Sequence, residues 1–139
     1  MKLSLKIVTP VGVSYEKEVD SVVLPVSNGE IEVLPGHLPL ITVIEPGELV
    51  AKAKNSKNDV FAIDSGFAKI ANDNVFVLTD ESLNINETDL ADIDHAMERA
   101  KKALEEARTR REALDPAEIE KLDAKVKYQV ATKLIKSRH

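Results

Sequence analysis

The side chains that could do chemistry in this 139-residue chain are three histidines, one serine followed by glycine, and many carboxylates. His37, His95 and His139 do not occur in the HxxxH or HExxH spacing of a zinc site. Ser65 lies in DSGF, which lacks the GxSxG frame of a nucleophile elbow, and no GxxxxGK(S/T) phosphate loop occurs. The absence of cysteine excludes disulfides and thiolate ligands. The sequence therefore predicts a protein without catalytic residues and without a metal site.

His37 needs an explanation of its own, because it lies inside the apolar stretch GEIEVLPGHLPL. Pro35 fixes one backbone angle and Gly36 permits an unusual one, as a turn requires. Pro39 restricts Leu38 to extended geometry, which is typical of the start of a strand. We therefore interpret His37 as a turn residue or a partner contact, and not as an acid or base.

Composition and charge argue against two classes of protein. The net charge is −5 and aromatic residues make up only 4%, whereas nucleic-acid binders usually combine a basic surface with stacking rings. Lys6 interrupts the segment that a signal peptide would need to be apolar, and no apolar run approaches the length of a membrane span. We expect a soluble protein that does not bind nucleic acid.

The chain divides into two regions that differ in the periodicity of their apolar residues. Residues 1–87 show short runs in which apolar and polar residues alternate, from Leu3–Ile7 to Val75–Thr79, separated by proline, glycine and asparagine. Many short strands at this spacing are typical of a β-sandwich or barrel. Since no helix-length crossover lies between the strands, the pattern favours antiparallel pairing.

Residues 88–139 have the helical period instead, and we predict two helices that fold back as an antiparallel hairpin. The first helix should end near Leu114, and Asp115 followed by Pro116 is a strong start signal for the second. The apolar seams are thin: Leu90, Ile93, Met97, Ala100, Leu104, Ala107 and Leu114 in the first helix, and Ile119, Leu122, Val126, Val130 and Leu134 in the second. The hairpin either packs permanently on the sandwich or is a detachable element.

The distribution of charge bears on these alternatives. Residues 1–87 contain 7 basic and 13 acidic residues, a net charge of −6, whereas residues 88–139 contain 12 and 11, a net charge of +1. In the second helix only Asp123 faces a group of six cations, which are Lys121, Lys125, Lys127, Lys133, Lys136 and Arg138. Cations are common on solvated helices and favourable at a helix C-terminus, but they would also suit an acidic partner.

The stretch GEIEVLPGHLPL resembles the signature of the epsilon subunit of F-type ATP synthases, which is close to GEIGxLPGHxPL. Glu32 replaces the usual glycine of that signature. The opening MKLSLKIVTP, the turn-and-strand IEPGELV, the segment DSGFAKIANDNVFVLTD and the helical hairpin also match in order, so the resemblance covers essentially the whole chain.

The resemblance implies a non-catalytic rotor subunit of the central stalk, which couples proton flow to ATP synthesis. It implies a β-sandwich that binds the gamma subunit and the membrane c-ring, with Glu30 towards the ring and His37 near the stalk interface. It also implies that the hairpin can open into the catalytic hexamer of alpha and beta subunits. There the six cations would meet acidic segments of beta and inhibit ATP hydrolysis. The expected location is the cytoplasmic side of the plasma membrane, reached only through the complex.

Some members of the family bind ATP through an (I/L)DxxRA motif in the first helix. Ile93 and Asp94 match this motif, but Met97 replaces its arginine and Glu98 its alanine. Arg99 lies about 200° around the helix from Met97 and cannot substitute. We therefore expect no cofactor and weak or absent ATP binding.

Two alternatives from other functional classes remain open. One is a free-standing β-sandwich binding module with a helical tail for oligomerisation, although the chain has no tryptophan and only two tyrosines for a ring-stacking site. The other is a small hydrolase, which would need a convergent acid–base pair that the sequence does not display.

Overall fold

The computed structural model describes residues 2–109 and 116–138. These residues form ten strands, one short 3-10 helix (Ile85–Glu87) and two α-helices. The strands are β1 Leu3–Thr9, β2 Gly12–Val19, β3 Ser21–Val26, β4 Gly29–Val33, β5 Leu40–Ile44, β6 Gly47–Lys52, β7 Asp59–Ile63, β8 Gly66–Ala71, β9 Asn74–Thr79 and β10 Ser82–Asn84. The helices are α1 Leu90–Thr109 and α2 Pro116–Arg138. The predicted β-sandwich followed by two helices is confirmed.

The strands are arranged as two five-stranded sheets that pack face to face. The first sheet has the order β2-β1-β9-β8-β5, and the second has the order β10-β7-β6-β3-β4. Along each strand, residues that face the core alternate with residues that face outward. In β1, for example, Leu3, Leu5 and Ile7 are buried, whereas the residues between them are only partly buried. Burial of these inner faces forms the main core, in which each fully buried aliphatic side chain contributes about 1.5–3 kcal/mol.

One strand pair departs from the antiparallel prediction. β1 pairs with β9 in parallel, with Ser4 opposite Asn74 and Val8 opposite Leu78. The prediction was wrong for this pair because it considered only helical crossovers. The chain between β1 and β9 instead runs through seven other strands, a connection long enough to return in the same direction.

Helix α1 buries most of the face that its sequence predicts, but the prediction was wrong for Leu90, which is 39% exposed in the first turn. Ile93, Met97, Leu104 and Ala107 are buried. Asp89 caps the start of the helix, since its side chain accepts a hydrogen bond from the Ala91 N–H at 3.4 Å and its carbonyl accepts one from the Ile93 N–H at 3.3 Å. The predicted end of this helix at Leu114 and the predicted cap at Asp115 lie outside the described residues.

Helix α2 begins at Pro116 as predicted, but it buries a different face. Val130 and Leu134 are 37% and 62% exposed, whereas Tyr128, Thr132 and Ile135 are buried. The predicted seam was wrong for these two exposed residues, whereas Leu122 and Val126 are half-buried, because α2 contacts both α1 and the sandwich and therefore has two contact faces. The face towards the sandwich contains a tyrosine and a threonine, which a search for aliphatic residues does not select. The side chain of Ile119 lies outside the description.

The contact between α2 and the sandwich is a second buried cluster beside the main core. Tyr128 and Ile135 pack on Val60 and Ala62 of β7 and on Ile85 of the 3-10 helix. The Tyr128 hydroxyl donates a hydrogen bond of 3.0 Å to the carbonyl oxygen of Ala62. Burial raises the pKa of Tyr128, so the hydroxyl keeps its proton and remains a donor. The cluster contains fewer buried residues than the main core between the two sheets.

We predict that Gly66→Ala destabilises the sandwich by about 2–3 kcal/mol. A Cβ atom at this position would lie 1.9 Å from the carbonyl oxygen of Leu78, so β8 and β9 would have to separate. Thermal unfolding measures the effect. Ser65→Ala is the control, because Ser65 contributes main-chain hydrogen bonds and its exposed hydroxyl can be removed within about 0.5 kcal/mol. Equal melting temperatures for the two variants would contradict the close approach of the strands.

We predict that Tyr128→Phe increases local opening of α2 about fivefold, because one buried hydrogen bond contributes about 1 kcal/mol. Hydrogen exchange at the amides of the second half of α2 measures this opening. Tyr15→Phe is the matched control, since the Tyr15 hydroxyl donates to Asp59 within the sandwich, at 2.6 Å, and does not involve α2. If both variants left exchange in α2 unchanged, the bond to Ala62 would not hold the helix.

Candidate functional site

The described residues contain no cluster suited to a metal ion. Over residues 2–109 and 116–138, no group of three or more His, Asp or Glu side chains comes close enough to bind one. Neither helix is long and apolar enough to cross a membrane in the part of the chain that the structure describes. His139 lies outside this part.

His37 lies in the turn between β4 and β5. Its main-chain N–H donates to the carbonyl oxygen of Leu34 at 3.1 Å, and its Nδ1 lies 2.6 Å from the carbonyl oxygen of Leu38. Gly36 has a φ of 85°, which suits glycine, and its N–H donates to Asp73 Oδ1 at 2.8 Å. The predicted turn is present, and its tip is tied to the turn between β8 and β9.

Glu30 and His37 are not neighbours in the fold. Glu30 is exposed in β4 and lies opposite Pro25 of β3, next to the turn that joins these two strands. His37 follows the other end of β4. A five-residue strand spans roughly 16 Å, so the two residues mark opposite ends of a strand at the margin of the second sheet.

The outer face of the first sheet carries a feature that the sequence analysis missed. One apolar residue from each of its five strands lies in register with the next: Val13 opposite Val8, Val8 opposite Leu78, Leu78 opposite Phe67, and Phe67 opposite Val43. We call these five residues the apolar row. Four of them are 46–57% exposed, which leaves a continuous apolar strip across the sheet. The sequence signal was the run VFVLT, in which the outward positions of β9 are Phe76 and Leu78 instead of polar residues.

The surroundings of the apolar row are mixed in polarity. Further along the strands, on the same face of the sheet, a second set of paired residues runs parallel to the row. In order across the sheet it consists of Glu16, Lys6, Phe76, Lys69 and Ile41. An open cleft of about 450 Å³ lies alongside Leu78, Phe67 and Val43 of the row, and its other lining residues include Pro10 and Asp80. An apolar centre with charged residues beside it is the usual composition of a protein–protein interface.

The cations of α2 have more partners than the sequence analysis assigned. Lys133 Nζ lies 2.8 Å from Asp94 Oδ1 of α1, and Arg138 lies 2.6 Å from Glu48 Oε2 of β6. Lys136 Nζ donates to the carbonyl oxygen of Ile85 at 2.9 Å. The expectation that the cations face only Asp123 was therefore wrong, because the acidic partners come from elements distant in sequence.

The remaining cations lie nearer the start of α2. Lys127 forms an ion pair with Asp123 one turn earlier, at 3.3 Å. Asp123 also lies 3.8 Å from Arg108 of α1, which together with the contact of Asp94 and Lys133 shows that the helices are antiparallel. Lys121 is exposed. Lys125 lines an open cleft of about 770 Å³ between the helices and the sandwich, together with Arg99, Asp80 and Glu81.

The two residues that match the nucleotide motif have structural roles in α1. Ile93 is buried, and the Asp94 carboxylate pairs with Lys133. Met97, in the place of the motif's arginine, is buried as well, whereas Glu98 is exposed. In the neighbouring cleft, burial and then repulsion from Asp64 raise the pKa of Glu81, and the attraction of Lys125 opposes that rise.

The chain is similar in sequence to known proteins of one family. Residues 2–85 match the family model described as ATP synthase, Delta/Epsilon chain, beta-sandwich domain. The ATP synthase epsilon chain of Hydrogenobaculum sp. (strain Y04AAS1) is 41% identical over 110 residues, which cover 79% of each chain. The ATP synthase epsilon chain of Campylobacter curvus (strain 525.92) is 38% identical over 104 residues, which cover 75% of this chain and 81% of the relative.

Solved structures share the fold over nearly the whole length. A chain in the cryo-EM structure of the Euglena gracilis mitochondrial ATP synthase (OSCP/F1/c-ring) superposes with a TM-score of 0.66 at 24% identity, covering 99% of this chain and 82% of that one. A chain in the central stalk/c-ring structure of the Tetrahymena thermophila mitochondrial ATP synthase superposes with a TM-score of 0.54 at 13% identity, covering 99% and 96%. By the family model and by its relatives, the chain belongs to the epsilon-chain family of ATP synthases.

Proposed function

We propose that this chain is a non-catalytic rotor subunit in the central stalk of an F-type ATP synthase. In this role the sandwich binds the gamma subunit and the c-ring, and it helps to couple proton flow through the ring to ATP synthesis. The chain is then a peripheral protein on the cytoplasmic side of the plasma membrane, held there by the complex. The observation that carries the proposal is the apolar row on the outer face of the first sheet.

The apolar row is a docking surface by its composition and its extent. Monomeric proteins rarely leave a contiguous apolar strip open to water, and such a strip usually marks an interface. The strip crosses all five strands of a sheet that the main core supports from behind, so it is rigid before a partner arrives. A rigid surface loses little conformational entropy on binding. We assign it to the gamma subunit.

Glu30 and His37, which lie near opposite ends of β4, are two further proposed contacts with the stalk and the ring. Glu30, at the turn between β3 and β4, is the proposed contact with the polar loops of the c-ring. His37 lies in a turn close along the chain to β5, which carries Val43 of the apolar row, and we propose that it contacts the stalk. Two separate contact points, one in β4 and one in the turn that follows it, would allow the sandwich to bridge the gamma subunit and the ring.

The helices are the proposed regulatory part. We propose that residues 1–87 are the anchoring domain, and that residues 88–139 can leave the sandwich and inhibit ATP hydrolysis in the hexamer of alpha and beta subunits. Support comes from the two separate clusters: Tyr128 and Ile135 belong to the second cluster, and the main core contains no residue of either helix among the described side chains. Release of α2 can therefore leave the main core intact. ATP is not needed for this mechanism, and we keep the prediction that it binds weakly.

We predict that Phe67→Ser combined with Val43→Ser weakens binding to the gamma subunit at least about tenfold, because two residues of the apolar row lose their buried contacts. Titration calorimetry with the purified gamma subunit measures the affinity. Leu134→Ser is the matched control, since Leu134 is equally apolar and 62% exposed but lies on α2. Undiminished binding by the double variant, with its melting temperature unchanged, would exclude the apolar row as the stalk contact.

We predict that a chain ending at residue 87 folds, binds the gamma subunit and raises the rate of ATP hydrolysis by the assembled enzyme. Removal of the helices uncovers Val60, Ala62 and Ile85 but leaves the main core closed. Circular dichroism and hydrolysis assays of the reconstituted enzyme measure the two effects. An unfolded product would show that the helices complete the core, and an unchanged rate would contradict the inhibitory role while leaving the stalk role in place.

A further inference from the structure

The turn between β3 and β4 contains Asn28, the only asparagine in the sequence that is followed by glycine. The chain has seven asparagines, and none of the other six precedes a glycine. An Asn-Gly pair is a usual hairpin signal, because both residues accept the backbone angles of a tight turn. The pair also places a side-chain amide directly before a main-chain nitrogen that no side chain shields. These two groups can react with each other.

The structure places the pair at the exposed tip of a hairpin. Val26 of β3 pairs with Gly29 of β4, so Ser27 and Asn28 form the two-residue connection between the strands. Ser27, Asn28 and Gly29 are all exposed. The φ angle of Gly29 is 133°, which favours glycine, and a Cβ atom at this residue would meet nothing within 4 Å. The space beside Gly29 is therefore open to water.

The side chain of Asn28 is held by no hydrogen bond in the part of the chain that the structure describes. Other asparagine side chains are held. Asn74 donates to the carbonyl oxygen of Asn72 at 3.1 Å, and Asn86 donates to the carbonyl oxygen of Asn58 at 3.1 Å. The exposed amide of Asn28 is therefore free to rotate towards the main-chain nitrogen that follows it.

We propose that Asn28 and Gly29 form a self-modification site, at which the asparagine becomes aspartate or isoaspartate. Hydroxide removes the proton from the main-chain nitrogen of Gly29, and the electron pair of this nitrogen attacks the side-chain carbonyl carbon of Asn28. The bond from this carbon to the amide nitrogen breaks, ammonia leaves with a proton taken from water, and a cyclic imide remains. Water then adds to either carbonyl carbon of the ring and breaks its bond to the ring nitrogen. Each new carboxyl group thus consumes one water and releases one ammonia.

Both products change the hairpin tip. Each adds a negative charge two residues before Glu30, which is itself exposed. Isoaspartate also inserts one carbon into the main chain of a connection only two residues long, so the pairing of Val26 with Gly29 cannot be kept in its present geometry. Aspartate leaves the main chain unchanged. Because Glu30 is the proposed contact with the c-ring, the added charge would alter that contact as the protein ages, and only this consequence rests on the proposed function.

The first experiment incubates the full-length chain at mildly alkaline pH and locates the lost amides by peptide mapping with mass spectrometry. Asn55, which is also exposed but precedes Ser56, is the internal control. We expect Asn28 to react at least about fivefold faster than Asn55, because glycine lets the main chain turn towards the side chain more readily than serine does. Methyl transfer from S-adenosylmethionine by an isoaspartyl methyltransferase marks the isoaspartate product. Equal rates at the two asparagines would overturn the proposal.

Two variants of Asn28 test whether this residue accounts for the change in charge. Asn28→Gln should abolish the more acidic form that ion-exchange chromatography resolves after incubation, because ring closure with the longer side chain is slower. Asn28→Asp should elute with that acidic form from the start. An acidic form that accumulated at an unchanged rate in Asn28→Gln would overturn the proposal.

A synthetic peptide of residues 21–33 tests whether the fold leaves the site reactive. We expect Asn28 to react at a similar rate in the peptide and in the folded chain, because the tip is exposed and the side chain is free of hydrogen bonds. A peptide that reacted readily beside a folded chain that lost no amide at Asn28 would show that the fold protects the site, and the proposal would be overturned.

The same measurement in the assembled ATP synthase separates this inference from the proposed function. Slower reaction of Asn28 in the assembled enzyme than in the isolated chain would support the proposed contact of Glu30 with the ring. Equal rates would count against that contact and leave the self-modification site in place. An unreactive Asn28 in the isolated chain would exclude the modification site while the proposed function stood.

Discussion

The parallel pairing of β1 with β9 is the constraint on which the first sheet depends. It joins the hairpin of β1 and β2 to the later strands, and its register sets Val8 beside Leu78. Because side chains alternate between the two faces of a strand, the same register that directs Leu5 and Ile7 into the core also aligns the apolar row outside. A slip of one residue would destroy the core and the docking surface together. Stability and the proposed binding function are therefore linked through one strand pair.

The two buried clusters give the molecule a graded stability. The main core lies between the sheets and unites strands from both ends of the sandwich, whereas the second cluster joins α2 to β7 through a few side chains. β7 belongs to both clusters, since Phe61 and Ile63 face the core while Val60 and Ala62 face the helix. Separation of α2, if it occurs as proposed, would leave β7 held in its sheet by the hydrogen bonds to β6 and β10.

The sequence predicts the features that depend on local period and misses those that depend on pairing. Alternation in β1 and the seam of α1 are properties of neighbouring residues, so the sandwich, the helices and the turn around His37 were predicted correctly. The alignment of the apolar residues in one row could not be predicted, because Val13 and Val43 meet the other members only through strand register. The acidic partners of Lys133 and Arg138 likewise come from tertiary packing. One available signal was overlooked: the run VFAI in β7 is apolar on both faces, which indicates a strand covered on both sides.

The carbonyl oxygen of Ile85 accepts two hydrogen bonds, one from Lys136 Nζ at 2.9 Å and one from the Thr88 N–H at 3.4 Å. The first comes from the far end of α2, and the second lies in the link that leads into α1. If α2 left the sandwich, this oxygen would lose the shorter bond to Lys136. Of these two bonds, only the longer one to the Thr88 N–H would then remain in the link that leads into α1. The far end of α2 and the entry into α1 are thus coupled through a single carbonyl group, and a change at one should be felt at the other.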